Sequence, residues 1–567
     1  MGFDARAPSY EQTDPTKAHN PRRHQQGQAQ ATRTTAGVYD SQIRFPLSAF
    51  GRYFSIRSLK FTIRNYAFLF LGAVLFHVAG TWTLPLIDRD EPRFAEASRE
   101  MLQRSDYVIP YFNNQFRFDK PPLTYWAQAA SYKIFGENDF AARFPSTIAA
   151  ALAALSIFAW GSRMGGQKLG WWSAIIFTLS LQTVLHAKAA VADMWLVLFV
   201  TLAHWAGYEL LRDQFLQKDQ RSIACPERKS NGLNSESFRE QAAQRPTFNQ
   251  AWWWIFYLAL AFAFLAKGPI GWVPLLTVAA TKIFYRNLEL SRRFKFTRGI
   301  LLMLAIVSLW GVPALVRTHG EFFWLGIGRH VIGRSFGAME GHGANSLGAY
   351  LLLLPFYFIT IFVSFFPWSI KLPWLMRRLR WDRDEIDHYL LAGGAIIFII
   401  FSLIKTKLPH YILPAFPLLS LLLARRWIDN EMPIELLKKL AIAVACICCA
   451  TALLVEPVAA RFFPSRELFR QSRDYLRPEM EFGAVDFAEP SLVWYFRSRV
   501  TGWMTTLSRA NVKRFMEKMG PRFVVIPTAM VEKVFPSPPA SWKRFSTRGC
   551  NLVKGRRVDL TLLLKPD

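Results

Sequence analysis

Apolar residues in this chain are gathered into repeated blocks of about 17–22, the length that crosses a hydrocarbon core of roughly 30 Å. The blocks fall near 66–86, 144–162, 169–186, 192–211, 252–266, 269–285, 300–316, 347–369, 388–404, 411–425 and 438–457. A soluble chain of 567 residues would divide into several water-exposed domains instead. The blocks predict a mainly α, polytopic membrane protein with eleven to thirteen transmembrane helices.

Charge orients those helices. The net charge is +28, but it is concentrated in short segments that flank the spans. Arg44, Arg52, Arg57, Lys60 and Arg64 precede the first span. Arg286, Arg292, Arg293, Lys295 and Arg298 share one loop, Lys371, Arg377, Arg378, Arg380 and Arg383 another, and Arg425, Arg426, Lys438 and Lys439 a third. Such clusters mark the cytoplasmic side. None is interleaved with base-stacking aromatics in a soluble segment, so nucleic acid is not the expected partner.

Threading the chain from a cytoplasmic N-terminus puts segment 87–143 outside, with eight Lys and Arg against nine Asp and Glu. Within it, Phe94, Ala95, Ala97, Ser98, Met101 and Leu102 form a helical stripe, and Leu123 to Phe135 again reads as helical and aromatic. Both suit helices lying at the membrane interface. Residues 1–45 read as a disordered cytoplasmic tail, 212–251 as a polar cytoplasmic insertion, and 60–457 as the membrane domain. Residues 458–567 read as an outer α/β domain, with strands at 482–485, 491–497 and 523–526. Cys446, Cys448 and Cys449 lie in an apolar span, and with Cys225 and Cys550 they make neither a disulfide framework nor a zinc-type spacing.

The ionisable residues threaded to the outer face are Asp88, Asp90, Glu91, Asp119, Lys120, Lys188, Asp193, Lys267, His330, Arg334, Lys405, Lys407 and His410, joined by Tyr411. Charge at membrane depth is costly and marks function. Several cations and a tyrosine hydroxyl suit a phosphate headgroup. A carboxylate beside them can accept a proton from an attacking hydroxyl or stabilise positive charge on a sugar ring. The set therefore suits group transfer from a lipid-linked phosphosugar. Asp119 and His330 could hold a divalent ion, zinc or magnesium, which the reaction does not require. A transporter of lipid-linked sugars would instead place charge through the bilayer midplane and carry internal repeats.

The motifs Asp-Glu-Pro-Arg-Phe-Ala-Glu (90–96), Phe-Asp-Lys-Pro-Pro (118–122), Phe-Gly-Glu-Asn-Asp-Phe-Ala-Ala-Arg (135–143), Ala-Lys-Gly (266–268) and Lys-Leu-Pro-His-Tyr-Ile-Leu-Pro (407–414) resemble those of the bacterial aminoarabinose lipid A transferases. These belong to the wider protein O-mannosyltransferase-like group with the GT-C fold. The resemblance runs in order from about Tyr66 to Ala424. It implies an inverting glycosyltransferase in the bacterial inner membrane, taking a sugar from undecaprenyl phosphate at the periplasmic face, with lipid A as the acceptor and the protein a monomer. A sibling enzyme using another polyprenyl-linked sugar, or a glycan or protein acceptor, carries similar motifs.

By the same resemblance the catalytic carboxylate is Asp90 and Asp193 is a second acidic site, Lys120, Arg334 and Tyr411 face the carrier phosphate, and His330 adjoins a metal. From their place among the outer-face charges, Glu91 joins the catalytic candidates, and Lys267, Lys405 and Lys407 join the phosphate-binding ones. Asp119 stands where Glu is common and Phe94 where Tyr is frequent.

Overall fold

The computed structural model describes residues 56–223, 250–285, 288–333, 346–381 and 383–567. The expected tail 1–45 and most of the insertion 212–251 lie outside the described residues. The chain divides into two units, Met1–Lys60 and Phe61–Asp567. Residues 56–60 of the first are helical, and the description below concerns the second.

Seven helices among the described residues are long and apolar enough to cross a membrane, and two shorter apolar helices accompany them. This is a multi-pass membrane protein. Its first helix, α1 (Ile56–Val78), stops short of the expected exit at Leu86. Gly80, at φ +86°, turns the chain there, a conformation that suits glycine. Segment 169–186 also departs from one expected span. It folds as α5 (Gln167–Thr178) and α6 (Leu181–Ala187), broken at Leu179 and Ser180. Segment 347–369 likewise breaks into Leu347–Leu352 and Phe356–Ser364, with Pro355 between them.

The segment expected on the outer face begins with α2 (Asp90–Arg104) and continues through the short hairpin β1 (Tyr111–Phe112) and β2 (Gln115–Phe116) to α3 (Leu123–Phe135). The expected stripe of α2 is buried at Phe94, Ala95, Ala97, Ser98 and Met101. Next comes α4 (Asp139–Gly165), whose first turn is capped by Asn138 accepting from the Ala141 amide at 2.9 Å.

One residue of α4 sets where α2 starts. Arg143 is buried and donates from Nε to Glu91 Oε1 at 3.0 Å and from Nη2 to Glu91 Oε2 at 2.7 Å. It also binds the carbonyls of Thr81, Leu84 and Pro85. Glu91 in turn accepts from the amides of Ile87 at 2.7 Å and Ala190 at 2.6 Å. Turn 80–89, α4 and the link before α7 (Asp193–Ile223) are thereby joined at the N-terminus of α2.

The C-terminal residues form a five-stranded sheet in the order β4 (Met504–Thr506), β3 (Glu481–Ala484), β5 (Arg522–Pro527), β7 (Arg556–Lys565), β6 (Lys543–Asn551). Phe523 and Val525 join one apolar cluster while Val524 and Ile526 join another, so both faces of β5 are covered. The expected strand 491–497 is instead a helix, Pro490–Phe496. All seven of its residues are buried, so no alternation distinguishes two faces, and Pro490 suits a first helical turn.

That helix packs on α2. Glu96 and Arg99 are both buried and pair at 2.7 Å, and Arg99 also donates to the Trp494 carbonyl at 2.8 Å. Its guanidinium lies 3.8 Å from the Trp494 ring centroid. Arg497 reaches Glu96, and lies 3.6 Å from Glu100. Asp88 accepts from the Ser491 amide at 2.9 Å and its hydroxyl at 2.6 Å.

Two outcomes test this framework. Glu91→Ala or Arg143→Ala leaves a buried charge without its partner and should lower stability by about 3–5 kcal/mol. The apolar double variant Glu91→Leu, Arg143→Met should lose less, as thermal unfolding in detergent will read. The second test concerns pH. Burial, and then the neighbouring Glu96, push Glu100 up to about 7 from an ordinary 4.5. The folded form therefore binds a proton that the unfolded chain has released. This stabilisation is complete below pH 4.5 and disappears as pH rises through about 7. Glu100→Gln should flatten the stability profile across that window.

Candidate active site

A cavity of about 830 Å³ lies between the outer segment and the helix bundle. Its polar end is lined by Asp90, Arg93, Arg117, Asp119, Lys120, Asp193, Lys267, His410 and Tyr411. These come from stretches distant in sequence. Asp90 and Arg93 are one turn apart on α2, and therefore on one face. Arg117 to Lys120 follow β2. Asp193 opens α7, and Lys267 closes α8 (Gln250–Lys267). His410 and Tyr411 lie in the turn of helix Pro409–Ala415.

Opposite charges are interleaved here. Lys267 Nζ donates to Asp193 Oδ1 at 2.5 Å and lies 5.4 Å from the Tyr411 ring centroid. His410 Nε2 stands 3.9 Å from the same carboxylate oxygen. Arg117 is buried, pairs with Asp119 Oδ2 at 3.0 Å, and donates from Nε to the Tyr125 hydroxyl at 3.1 Å. Burial pushes Tyr125 up to about 12, so its phenol stays protonated. Lys120 Nζ donates to the Asp119 carbonyl at 3.1 Å. The Asp119 side chain thus faces a guanidinium.

The other end is apolar. Val307, Trp310 and Leu315 come from the helix Phe296–Arg317, Leu275 and Leu276 from Val273–Phe284, and Ile400 and Ile404 from the end of Glu385–Leu403. Leu276 and Val312 line the cavity and are also half exposed on the apolar exterior of the bundle. The cavity therefore joins a charged chamber to the surface that faces lipid.

The structure brings Asp90, Asp119, Lys120, Asp193, Lys267 and Tyr411 of the expected set together. It separates three others. Glu91 is turned away, its two carboxylate oxygens held by Arg143, Ile87 and Ala190. Lys407 is buried outside the cavity lining, donating to the carbonyls of Phe401 at 3.0 Å and Ser402 at 2.5 Å. Burial pulls its ammonium down to about 8. Lys405 is half-buried and also outside the lining. His330 belongs to the helical segment Phe322–Gly333, and Arg334 lies outside the described residues.

The sequence expectations did not include Arg93 and Arg117. Both were legible: Arg93 stands three residues after Asp90, and Arg117 directly precedes the Phe-Asp-Lys-Pro-Pro motif.

Comparison with known proteins bears on this geometry. A family profile described as dolichyl-phosphate-mannose-protein mannosyltransferase matches residues 119–218. The undecaprenyl phosphate-alpha-4-amino-4-deoxy-L-arabinose arabinosyl transferase of Pectobacterium atrosepticum is 27% identical over 375 residues, 65% of this chain and 59% of that one. Its namesake in Aeromonas hydrophila is 29% identical over 356 residues, 61% and 56% of the two chains. The chain thus spans less than two thirds of the length of these named relatives. The crystal structure of ArnT from Cupriavidus metallidurans bound to undecaprenyl phosphate superposes with a TM-score of 0.67 at 18% identity, covering 88% of this chain and 98% of that one.

The chain is similar to the bacterial aminoarabinose transferases. Its fold is the GT-C fold that the sequence motifs implied, with a sheet domain at the C-terminus. The family profile and the named relatives are those of sugar transferases, and the solved structure shares the fold.

Proposed function

We propose that this chain transfers 4-amino-4-deoxy-L-arabinose from undecaprenyl phosphate to a phosphate of lipid A, at the periplasmic face of the bacterial inner membrane. The coarser part of this reading, a transferase that takes its sugar from a polyprenyl phosphate, has the support of relatives named for that chemistry. The observation that carries the reading is a cavity with two chemistries. A polyprenyl tail stays among Leu275, Leu276, Trp310 and Leu315. Its phosphate and sugar then meet Asp90, Lys120, Lys267 and Tyr411.

In an inverting transfer, the acceptor oxygen bonds to the anomeric carbon as the bond from that carbon to the carrier phosphate oxygen breaks. The phosphate leaves with the electron pair. Negative charge therefore grows on the phosphate, and fixed cations around it stabilise the transition state more than the ground state. Lys120, Arg93 and Lys267 all line that chamber. Positive charge grows on the sugar ring, where the carboxylate of Asp90 is of use. A phosphate acceptor is already ionised near neutral pH and needs no base. A hydroxyl acceptor would require Asp90 to take its proton.

The test is transfer by purified protein supplied with undecaprenyl-phosphate sugars and candidate acceptors, read by mass. Asp90→Asn should fold normally and lose about 10²-fold or more of its rate, the loss of the charge that stabilises the sugar ring in the transition state. Lys120→Met should weaken carrier binding by about 10–100-fold, the loss of one charge-assisted hydrogen bond. Lys407→Met should lower thermal stability and leave carrier binding near wild type. Unimpaired transfer by Asp90→Asn would contradict the assignment. Lipid A of unchanged mass after deletion of the gene would exclude aminoarabinose transfer and leave another sugar or acceptor.

A further inference from the structure

Behind the Asp193–Lys267 pair lies a second group of side chains. One nitrogen of His186, one of His410 and a carboxylate oxygen of Asp193 lie within 4.8 Å of one another. The two imidazole rings stand 4.8 Å apart between centroids. They arrive from different elements: His186 from the end of α6, Asp193 from the start of α7, and His410 from the turn before Phe416–Asp429. Asp193 and His410 line the cavity, and His186 is outside that lining.

We infer that His186, Asp193 and His410 form a binding site for a divalent transition-metal ion of the zinc type, opening into the polar end of the cavity. Two imidazoles and one carboxylate are a borderline donor set, which favours zinc or cobalt over magnesium or calcium. Three protein ligands with one open position describe metal sites that bind substrate. Tetrahedral coordination at about 2.0–2.1 Å puts ligand atoms roughly 3.3 Å apart, so the widest pair must close by about 1.5 Å, within reach of side-chain rotation.

His186 is oriented for this. His186 Nδ1 lies 3.1 Å from the Gln182 backbone carbonyl oxygen. A proton on Nδ1 donated to that carbonyl leaves Nε2 with its lone pair, the tautomer that ligates metal.

Lys267 is the built-in competitor. Its ammonium occupies Asp193 Oδ1 at 2.5 Å, where a divalent ion would also bind. Two cations on one buried carboxylate repel each other. Metal entry therefore displaces Lys267 toward the cavity, where a phosphate oxygen can accept from it. That last step rests on the reading of the cavity as a carrier-phosphate site. Metal binding itself does not.

The site differs from the pairing of Asp119 with His330 suggested by sequence, and the two are separable by experiment. Full-length protein in detergent is stripped of metal and titrated with Zn²⁺, then with Co²⁺, whose visible absorption reports tetrahedral coordination. Wild type should retain about one ion per chain. His186→Gln, His410→Gln and Asp193→Asn should each lose it while keeping a monodisperse elution profile. A variant that fails to fold is replaced as evidence by the other two, since each ligand is required. Lys267→Met should bind the ion more tightly than wild type. Retention of the ion by the histidine variants would overturn the proposal. So would its loss in Asp119→Asn or His330→Gln, or the absence of any bound ion in wild type. Because no sugar or carrier is present in the titration, its failure would leave the transfer assay, and with it the proposed function, untouched.

Discussion

The buried pair between Glu91 and Arg143 is the constraint on which the rest of the outer segment depends. Removing two charges from water costs several kcal/mol per ion, and the pair offsets this only where the remaining lone pairs and protons are also satisfied. Here they are satisfied by backbone: three carbonyls of turn 80–89 on the arginine, and two amides on the glutamate. The pair therefore specifies a path for the chain as well as a contact. It fixes where α2 begins, and with that the position of Asp90, one residue earlier, at the cavity. The C-terminal domain grips the same helix from its other side through Arg497 and Trp494. A sheet domain distant in sequence thus shares in holding the residue assigned to chemistry.

The cavity answers a physical problem posed by the proposed ligand class. A polyprenyl phosphate is apolar over most of its length and charged at one end, so a site for it must cross from hydrocarbon to water. Leucine, valine and tryptophan side chains of the bundle meet the first requirement. The interleaved cations and carboxylates meet the second. The Asp193–Lys267 contact shows how charge is kept at that depth: a carboxylate and an ammonium neutralise each other.

Much of this was legible in the sequence, and what was not has identifiable causes. Spans and the stripe of α2 follow from apolar periodicity, which burial dictates locally. The convergence of Asp90, Lys120, Asp193 and Lys267 followed from threading the spans and from family motifs. The separate fates of Asp90 and Glu91 were beyond such reasoning. Adjacent helical residues point about 100° apart, and the deciding partner, Arg143, is far along the chain. Lys407 sits inside a motif rich in function, yet two carbonyls of the preceding helix claim it. Segment 491–497 misled because a fully buried short helix has the same apolar run as a buried strand. His186 carried no spacing that linked it to His410, since only the fold brings them together.

The central claim is that one cavity seats the lipid carrier with its phosphate among these side chains. A structure of the purified protein with undecaprenyl phosphate tests it directly. The phosphate should lie within hydrogen-bond distance of Lys120 or Lys267, with the first isoprene units against Leu276, Trp310 and Leu315. A carrier phosphate seated away from Asp90, or a tail running outside this cavity, would contradict the account.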